Sequence, residues 1–190
     1  LLRQTQGLFL SNLKVFYTRR ILRILPAATL VLVVTPLAAF FLIGDAMDPA
    51  LLNDVRWANL FAANWNLINN GSNYFVAGVD PSLVTHFWSL AVEEQFYVVW
   101  PIFILFLSRY GKRAVLYGVA MSSALSLLLS IYQTQTSPIW AFYSLPTRAW
   151  ELGVGALLLF IPENFWKNRF IPWVGMIGIA VAALKFDENT

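Results

Sequence analysis

Long apolar stretches separated by polar or basic residues dominate this chain. Five of them approach or reach the roughly 20 residues that a helix needs to cross a bilayer. They are Ile24–Ile43, Phe87–Leu107, Ala114–Tyr132, Leu145–Ile161 and the slightly short Phe170–Leu184. The pattern predicts an all-α fold, a polytopic bundle of transmembrane helices with about five spans. No internal repeat or linker divides the sequence, so residues 1–190 are predicted to belong to one transmembrane domain.

The segments between the spans, and two prolines, add detail to this pattern. Residues 44–85 are polar, and within them Leu51–Ile68 is amphipathic, with two Trp and several Asn. Such a segment is typical of a helix at the membrane interface or of a re-entrant helix, not of a span. Gln133–Ser144 is predicted to be a polar and aromatic loop. Pro26 falls in the first turn of the first predicted span, whereas Pro36 lies deeper and predicts a kink.

The distribution of basic residues orients the predicted spans. If the segment FYTRRILR is cytoplasmic, all but three of the 13 Lys and Arg residues are predicted to be cytoplasmic. The exceptions are Arg56, Arg148 and Lys185. Such a bias is typical of the positive-inside rule. It predicts that residues 44–85 are extracytoplasmic, that His86 begins a helix at the outer boundary, and that Glu93 lies about 10 Å further toward the membrane centre.

Composition supports a membrane protein and excludes several kinds of chemistry. The chain is 58% hydrophobic and 12% charged, with a mean hydropathy of +0.63, whereas soluble domains are about 25% charged. The absence of cysteine excludes disulfides, a thiol nucleophile and Cys-ligated metal. A single His without further ligands argues against a zinc site, so no metal is expected. The small net charge of +3 reflects membrane topology, and no nucleic-acid partner is expected.

The segment His86–Pro101 carries the only His of the chain and two adjacent Glu within otherwise apolar sequence. At about 100° per residue, four of its residues share one helical stripe: His86, Ser89, Glu93 and Tyr97. Glu94 falls to the side of this stripe, and Gln95 falls on the opposite face. Ionisable groups at membrane depth cost several kcal/mol and usually face a protein interior or a watery cavity. His86 also suits an ordinary interfacial residue, and Glu93 suits a proton relay, a general base or an ion-pair strut.

Two pairs of charged residues have the i, i+3 spacing that places both side chains on one helix face. Arg20 and Arg23 suit either a topology anchor that extends to lipid headgroups or a clamp for the phosphates of an anionic cofactor. Arg148 and Glu151, in PTRAWELGVG, suit a salt bridge within a helix or between helices.

Small and aromatic residues surround the second pair. Gly153 and Gly155 are predicted to let another helix approach closely, because neither carries a side chain. Trp140 and Trp150 are typical of the aromatic belt at a membrane interface. The segment is therefore predicted to combine a polar pair with a helix–helix contact.

Three of these segments together resemble one family. HFWSLAVEEQFYVVWP, His86–Pro101, resembles the H-x-W-S-L-x-V-E-x-Q-F-Y-x-x-W-P hallmark of the acyltransferase 3 family of integral membrane acyltransferases. FYTRRILRILPA resembles the R-x-x-R segment of that family, and LPTRAWELGVGALL resembles its P-x-R-x-W-E-x-x-x-G segment. The three segments occur in the expected order and cover most of the chain.

The resemblance implies a membrane-bound O-acyltransferase of the bacterial surface-polysaccharide O-acetylase type. It implies transfer of an acetyl or other acyl group from acyl-CoA to a hydroxyl of a surface or cell-envelope carbohydrate, such as lipopolysaccharide. The expected location is the inner (plasma) membrane, as a multi-pass protein in the lipid bilayer. Arg20 and Arg23 would hold the acetyl-CoA donor on the cytoplasmic side. The implied catalytic residues are His86, Glu93, Arg148 and Glu151, with Glu93 assisting proton transfer.

The resemblance also implies that this chain is a piece of a longer polypeptide. The first transmembrane helix of the family carries a basic residue and a His, and its second carries an F-F-x-x-S-G segment. Both would lie upstream of Leu1, and the last helices of the family would follow Thr190, so these residues alone are expected to be inactive. The segments FAANW and NYFVAG resemble those of the subgroup that has a C-terminal SGNH-type domain in the parent chain.

Two other classes of function are compatible with the charged residues. A proton-coupled transporter of a small solute would use Glu93 and Glu151 as proton-coupling groups. The absence of an inverted repeat in the sequence counts against this alternative. A membrane scaffold would use the same charges only as struts.

Overall fold

Helices account for every regular element in the parts of the chain that the computed structural model describes, residues 2–44, 50–71, 82–162 and 171–185. This outcome follows from the apolar pattern, because a helix satisfies its own backbone hydrogen bonds in lipid. The helices are α1 (Leu2–Ile43), α2 (Ala50–Asn59), α3 (Ala63–Asn69), α4 (Phe87–Ser108), α5 (Lys112–Thr136), α6 (Pro138–Tyr143), α7 (Leu145–Leu157) and α8 (Ile171–Lys185). The prediction of an all-α transmembrane bundle is confirmed.

Three of the described helices are long and apolar enough to cross a membrane. They contain the first three predicted spans: Leu13–Leu42 within α1, then α4 and α5. The fourth predicted span consists of 13 helical residues followed by a short 3-10 turn, Leu158–Phe160, and α8 has 15 residues. Both are shorter than the roughly 20 residues of a perpendicular span, so the predicted number of five is approximate. The NYFVAG segment, Lys167 and Arg169 lie outside the described residues.

Two predicted boundaries were wrong. The first helix begins at Leu2, not at Ile24, so Pro26 lies in its interior and not in its first turn. The residues before Ile24 contain no proline, and the helix therefore continues through them. The predicted loop Gln133–Ser144 contains the end of α5 and all of α6. Pro138 stands in the first turn of α6, where its fixed φ angle favours a helix start.

The amphipathic segment between the first two spans forms a helical hairpin, α2 and α3, and not one helix. The break lies at Phe61, which adopts a left-handed conformation with a φ of 51°. Leu51 and Ala58 of α2 belong to a buried cluster with Ala28 and Leu32 of α1, and Val84 and Phe87 complete the same cluster. The hairpin is thus packed against α1 and the start of α4.

A buried polar network fixes the tip of this hairpin. Gln95 of α4 donates through Nε2 to the Phe61 carbonyl and to Asn64 Oδ1, both at 2.9 Å. Asn64 is fully buried and donates through Nδ2 to the carbonyl of Tyr143 at 3.2 Å. Gln95 lies eight residues into α4, about 12 Å from its start. The network therefore joins α4, the hairpin and α6 well inside the bundle.

A serine hydroxyl of α5 joins this helix to α7 by hydrogen bonds with the α7 backbone. Ser126 Oγ donates to the carbonyl of Pro146 at 2.6 Å and accepts from the backbone N–H of Trp150 at 2.9 Å. A Cβ atom on Gly153 would overlap Ser123 Oγ, so the predicted close approach at Gly153 is confirmed. The same prediction for Gly155 was wrong, since no described atom lies within 4 Å of the position of its Cβ.

The two glycines provide a matched test of this packing. Gly153→Leu is expected to destabilise the full-length protein by about 1–3 kcal/mol, because it overpacks the contact with α5. Gly155→Leu is expected to have little effect, because its side chain would extend into open space. Thermal denaturation of both variants in detergent measures the difference. Equal melting temperatures for the two variants would contradict this account of the α5–α7 contact.

Candidate functional site

The contact between α1 and α4 holds the first cluster of charged residues. Arg20 donates through Nε to Glu94 Oε1 at 3.0 Å, and its Nη2 forms an ion pair with the same oxygen at 2.9 Å. Its Nη2 lies 3.8 Å from Glu93 Oε2, and its Cζ lies 3.1 Å from the centre of the Tyr97 ring. The side chains of Arg20 and Glu94 are only 16% and 21% exposed, whereas that of Glu93 is 52% exposed. Glu94 is therefore the principal partner of Arg20.

The predicted stripe along α4 is only partly engaged with the rest of the protein. His86, Ser89 and Glu93 are all exposed, and Tyr97 alone is partly covered. Ser89 Oγ donates locally to the His86 carbonyl at 3.1 Å, and the His86 ring lies beside Phe87, with 4.9 Å between ring centres. The seven residues between His86 and Glu93 correspond to about 10 Å of helix. The structure thus does not bring these two predicted catalytic side chains into contact.

An antiparallel register sets the position of Arg20 along α4. The Tyr17 hydroxyl donates to the Tyr97 carbonyl at 3.0 Å, one turn beyond the ion pair. Glu94 precedes the end of α4 at Ser108 by fourteen residues, or about 21 Å. Arg20 therefore lies about one third of the way along α4 and not beside its basic end, where charge distribution alone predicted the arginine pair.

The two arginines of the R-x-x-R segment have different surroundings. Arg20 is engaged by carboxylates, as described above. Arg23 is exposed and makes no ion pair with any of the described residues. Of the two, Arg23 is the guanidinium that an anionic ligand can reach without displacing a carboxylate. No group of three or more His, Cys, Asp or Glu side chains within the described ranges is arranged to hold a metal ion.

The second cluster lies at the start of α7. Arg148 Nη2 donates to Glu151 Oε2 at 2.9 Å, and its Nη1 is 3.5 Å from the Phe142 carbonyl. This is the salt bridge within one helix that the i, i+3 spacing allowed. The Arg148 guanidinium also lies over Trp88 of α4, with 5.0 Å between Cζ and the ring centre. Trp88 in turn packs against Phe142 and Tyr143, with ring centres 4.8 and 5.2 Å apart.

These contacts bring the three motif segments together around α4. Glu94 binds Arg20 of the first segment, and Trp88 packs under Arg148 of the third. A cavity of about 500 Å³ lies beside the Arg148–Glu151 pair. Its walls come from the end of α5, from α6 and from the first turns of α7, and include Ser130, Thr134, Phe142, Arg148, Trp150 and Glu151. The cavity is large enough for a small-molecule ligand.

Sequence reasoning missed several residues of this arrangement. Glu94 was set aside because it lies off the polar stripe, yet it carries the ion pair with Arg20. The roles of Asn64 and Ser126 were also missed, since each depends on partners 20 or more residues away. The only signal in the sequence was the presence of polar residues in apolar surroundings, which indicates a partner without naming it.

The fold and the contacts between the motif segments together define a class of protein: a helical membrane protein whose helices carry paired charges. The chain belongs to the acyltransferase 3 family: the family model described as an acyltransferase domain matches residues 6–186. No solved structure matches the chain.

Several curated proteins are similar to the chain. The peptidoglycan O-acetyltransferase OatA of Listeria monocytogenes is 31% identical over 173 residues, covering 86% of this chain and 26% of that protein. The putative peptidoglycan O-acetyltransferase YrhL of Bacillus subtilis is 34% identical, covering 83% of this chain and 25% of that protein. A putative O-acetyltransferase of Staphylococcus aureus is 31% identical, with coverages of 87% and 28%. The chain thus spans about a quarter of the length of these relatives.

The preference of Arg20 for Glu94 over Glu93 is directly testable. A double-mutant cycle with Arg20→Gln and Glu94→Gln is expected to show a coupling free energy of about 1–3 kcal/mol, because the two side chains share a short, mostly buried ion pair. The cycle with Glu93→Gln serves as the control and is expected to give a smaller value. Unfolding of the full-length protein in detergent supplies the free energies. A larger coupling to Glu93 would contradict the observed geometry.

Proposed function

We propose that this chain forms part of an acyltransferase-3-like transmembrane domain, residues 1–190, of a membrane-bound O-acyltransferase. The enzyme transfers an acetyl or other acyl group from acyl-CoA to a hydroxyl of a cell-envelope carbohydrate. The observation that carries this proposal is the meeting of three family motif segments around α4, through Arg20 with Glu94 and Trp88 with Arg148. The names of the relatives favour peptidoglycan as the acceptor.

The proposed reaction requires an activated hydroxyl, a held acyl donor and stabilisation of the oxyanion. The acceptor oxygen forms a bond to the acyl carbonyl carbon, the bond to the sulfur of the donor breaks, and the hydroxyl proton passes to a base. Glu93 suits the role of base better than Glu94, because its carboxylate is half exposed and less tightly held by Arg20. His86, just before the start of the same helix, is proposed as a further catalytic residue.

The donor is proposed to bind through the two arginines of α1. A guanidinium matches the geometry of phosphate oxygens and forms charge-assisted hydrogen bonds with them. Arg23 is exposed and would make the first contact. Arg20 would exchange its Glu94 partner for a phosphate, so donor binding and the Arg20–Glu94 ion pair compete. Arg148 and Glu151 are proposed to act on the acceptor side of the reaction.

The location follows from the same proposal. Long apolar helices place the protein in a lipid bilayer, and a donor made in the cytoplasm together with an envelope acceptor favours the plasma membrane. An SGNH-type domain later in the parent chain is proposed as a partner of this transmembrane domain.

The role of Glu93 is tested in the full-length protein. Glu93→Gln is expected to lower the ester-linked acetate on envelope glycans by about 100-fold or more, since general base catalysis contributes about 10²–10⁴. Mass spectrometry of the glycans at matched membrane abundance measures this loss.

Glu94→Gln is the comparison variant, since it differs by one position along α4 and is expected to alter donor KM more than kcat. Retained acetate in Glu93→Gln would reject a chemical role for Glu93. Absence of acetate from the wild type would reject the proposed function, and proton-linked solute flux in liposomes would then favour the transporter.

The role of Arg23 is tested by donor affinity. Arg23→Gln is expected to raise the KM for acetyl-CoA about tenfold or more, because a hydrogen bond to a charged group is worth about 1.5–3 kcal/mol. Arg19→Gln removes an exposed arginine from the same helix turn and serves as the control. Initial rates in nanodiscs give both values. An equal increase in KM for the two variants would indicate general electrostatics and contradict a specific donor contact.

A further inference from the structure

The cavity beside Arg148 and Glu151 lies at a defined end of the bundle. Ser130 and Thr134 in its wall follow the basic start of α5, at Lys112 and Arg113, by about 26–32 Å of helix. By the positive-inside rule, the basic end of α5 is cytoplasmic. The cavity therefore belongs to the opposite, extracytoplasmic end, where an envelope glycan is present.

The lining of the cavity combines flat aromatic surfaces with hydroxyl groups. Phe142 and Trp150 contribute aromatic rings, and Ser130 and Thr134 contribute hydroxyls near the end of α5. A sugar ring presents C–H groups on its faces and hydroxyls around its edge. An apolar wall with a few convergent polar groups is the usual form of a site that orients such a ligand. The volume of about 500 Å³ is within the common range for small-molecule sites.

The charges at this cavity favour a neutral ligand over an anionic one. Arg148 and Glu151 are joined at 2.9 Å, so the positive charge at the wall is already compensated. A phosphate group would have to displace or repel the Glu151 carboxylate. A hydroxyl can donate to the carboxylate and accept from the guanidinium without breaking the pair. This distinguishes the cavity from Arg23, which forms no ion pair with the described residues.

We propose that this cavity, formed by the end of α5, α6 and the start of α7, is the binding site for a sugar unit of the acceptor glycan. The proposal deepens the proposed function and rests on it for the identity of the glycan. Trp88 lies under Arg148 and belongs to α4, the helix that also carries Glu93, although the two side chains are turned about 140° apart around that helix. Arg148 and Glu151 act there as positioning residues for the acceptor hydroxyl.

A side chain that fills the cavity tests the proposal without removing either charge. Thr134→Trp in the full-length protein in nanodiscs is expected to raise the KM for a soluble peptidoglycan tetrasaccharide at least about tenfold. The KM for acetyl-CoA is expected to stay unchanged. Leu128→Trp places the same side chain on an exposed face of α5 and is the control. Ser130→Phe fills the same wall and replaces Thr134→Trp if that variant does not fold.

Equilibrium binding of radiolabelled tetrasaccharide provides a readout that does not depend on transfer. Loss of binding in Thr134→Trp, with binding retained in Leu128→Trp, supports the site. Unchanged binding and acceptor KM in Thr134→Trp overturn it. If a lipid co-purifies with the wild type and is lost from Thr134→Trp while the acceptor KM stays constant, the cavity is a lipid site and the proposed sugar site is overturned. Binding by a wild type that transfers no acetyl would uphold the site while rejecting the proposed function.

Discussion

The positive charge of Arg20 must be compensated wherever α1 and α4 meet, because a guanidinium in low-dielectric surroundings is costly without partners. Glu94 accepts one hydrogen bond and forms a short ion pair, Glu93 adds a longer ionic contact, and the Tyr97 ring covers the face of the guanidinium. This compensation fixes the register of α1 along α4. The hydrogen bond from Tyr17 to the Tyr97 carbonyl follows one turn later in the same register.

Helix α4 holds the bundle together because its polar residues point in different directions. Glu94 faces α1, and Gln95, turned by about 100°, faces the α2–α3 hairpin. Trp88 faces α6 and Arg148 of α7. Each of these contacts joins α4 to a different helix. Each would be lost if α4 turned about its axis by the roughly 100° that separates neighbouring residues. The polar residues thus specify a single rotation of a helix whose apolar residues alone would allow several.

The sequence was sufficient for those features that depend on neighbours along the chain. Apolar length predicted α1, α4 and α5 as spans, and i, i+3 spacing allowed the Arg148–Glu151 pair. The sequence was insufficient where packing against a distant helix determines which contacts a side chain makes. Both adjacent glutamates lie within reach of Arg20, and only the packing of α1 shows that Glu94 forms the shorter contact. The break at Phe61 likewise involves a distant residue, because the amide of Gln95 donates to the Phe61 carbonyl.

The two arginine clusters differ in how far their positive charges are paired. At Arg148, compensation by Glu151 is complete within one helix turn, so the cluster is polar but carries no net charge. At α1, Glu94 and the more distant Glu93 compensate Arg20, whereas the exposed Arg23 makes no ion pair with the described residues. Under the proposed function, an anionic donor would therefore be attracted to the unpaired guanidinium of Arg23, whereas the paired cluster at α7 offers it no net positive charge. Charge pairing would then help to keep the donor out of the proposed acceptor site, although both sites contact the same helix.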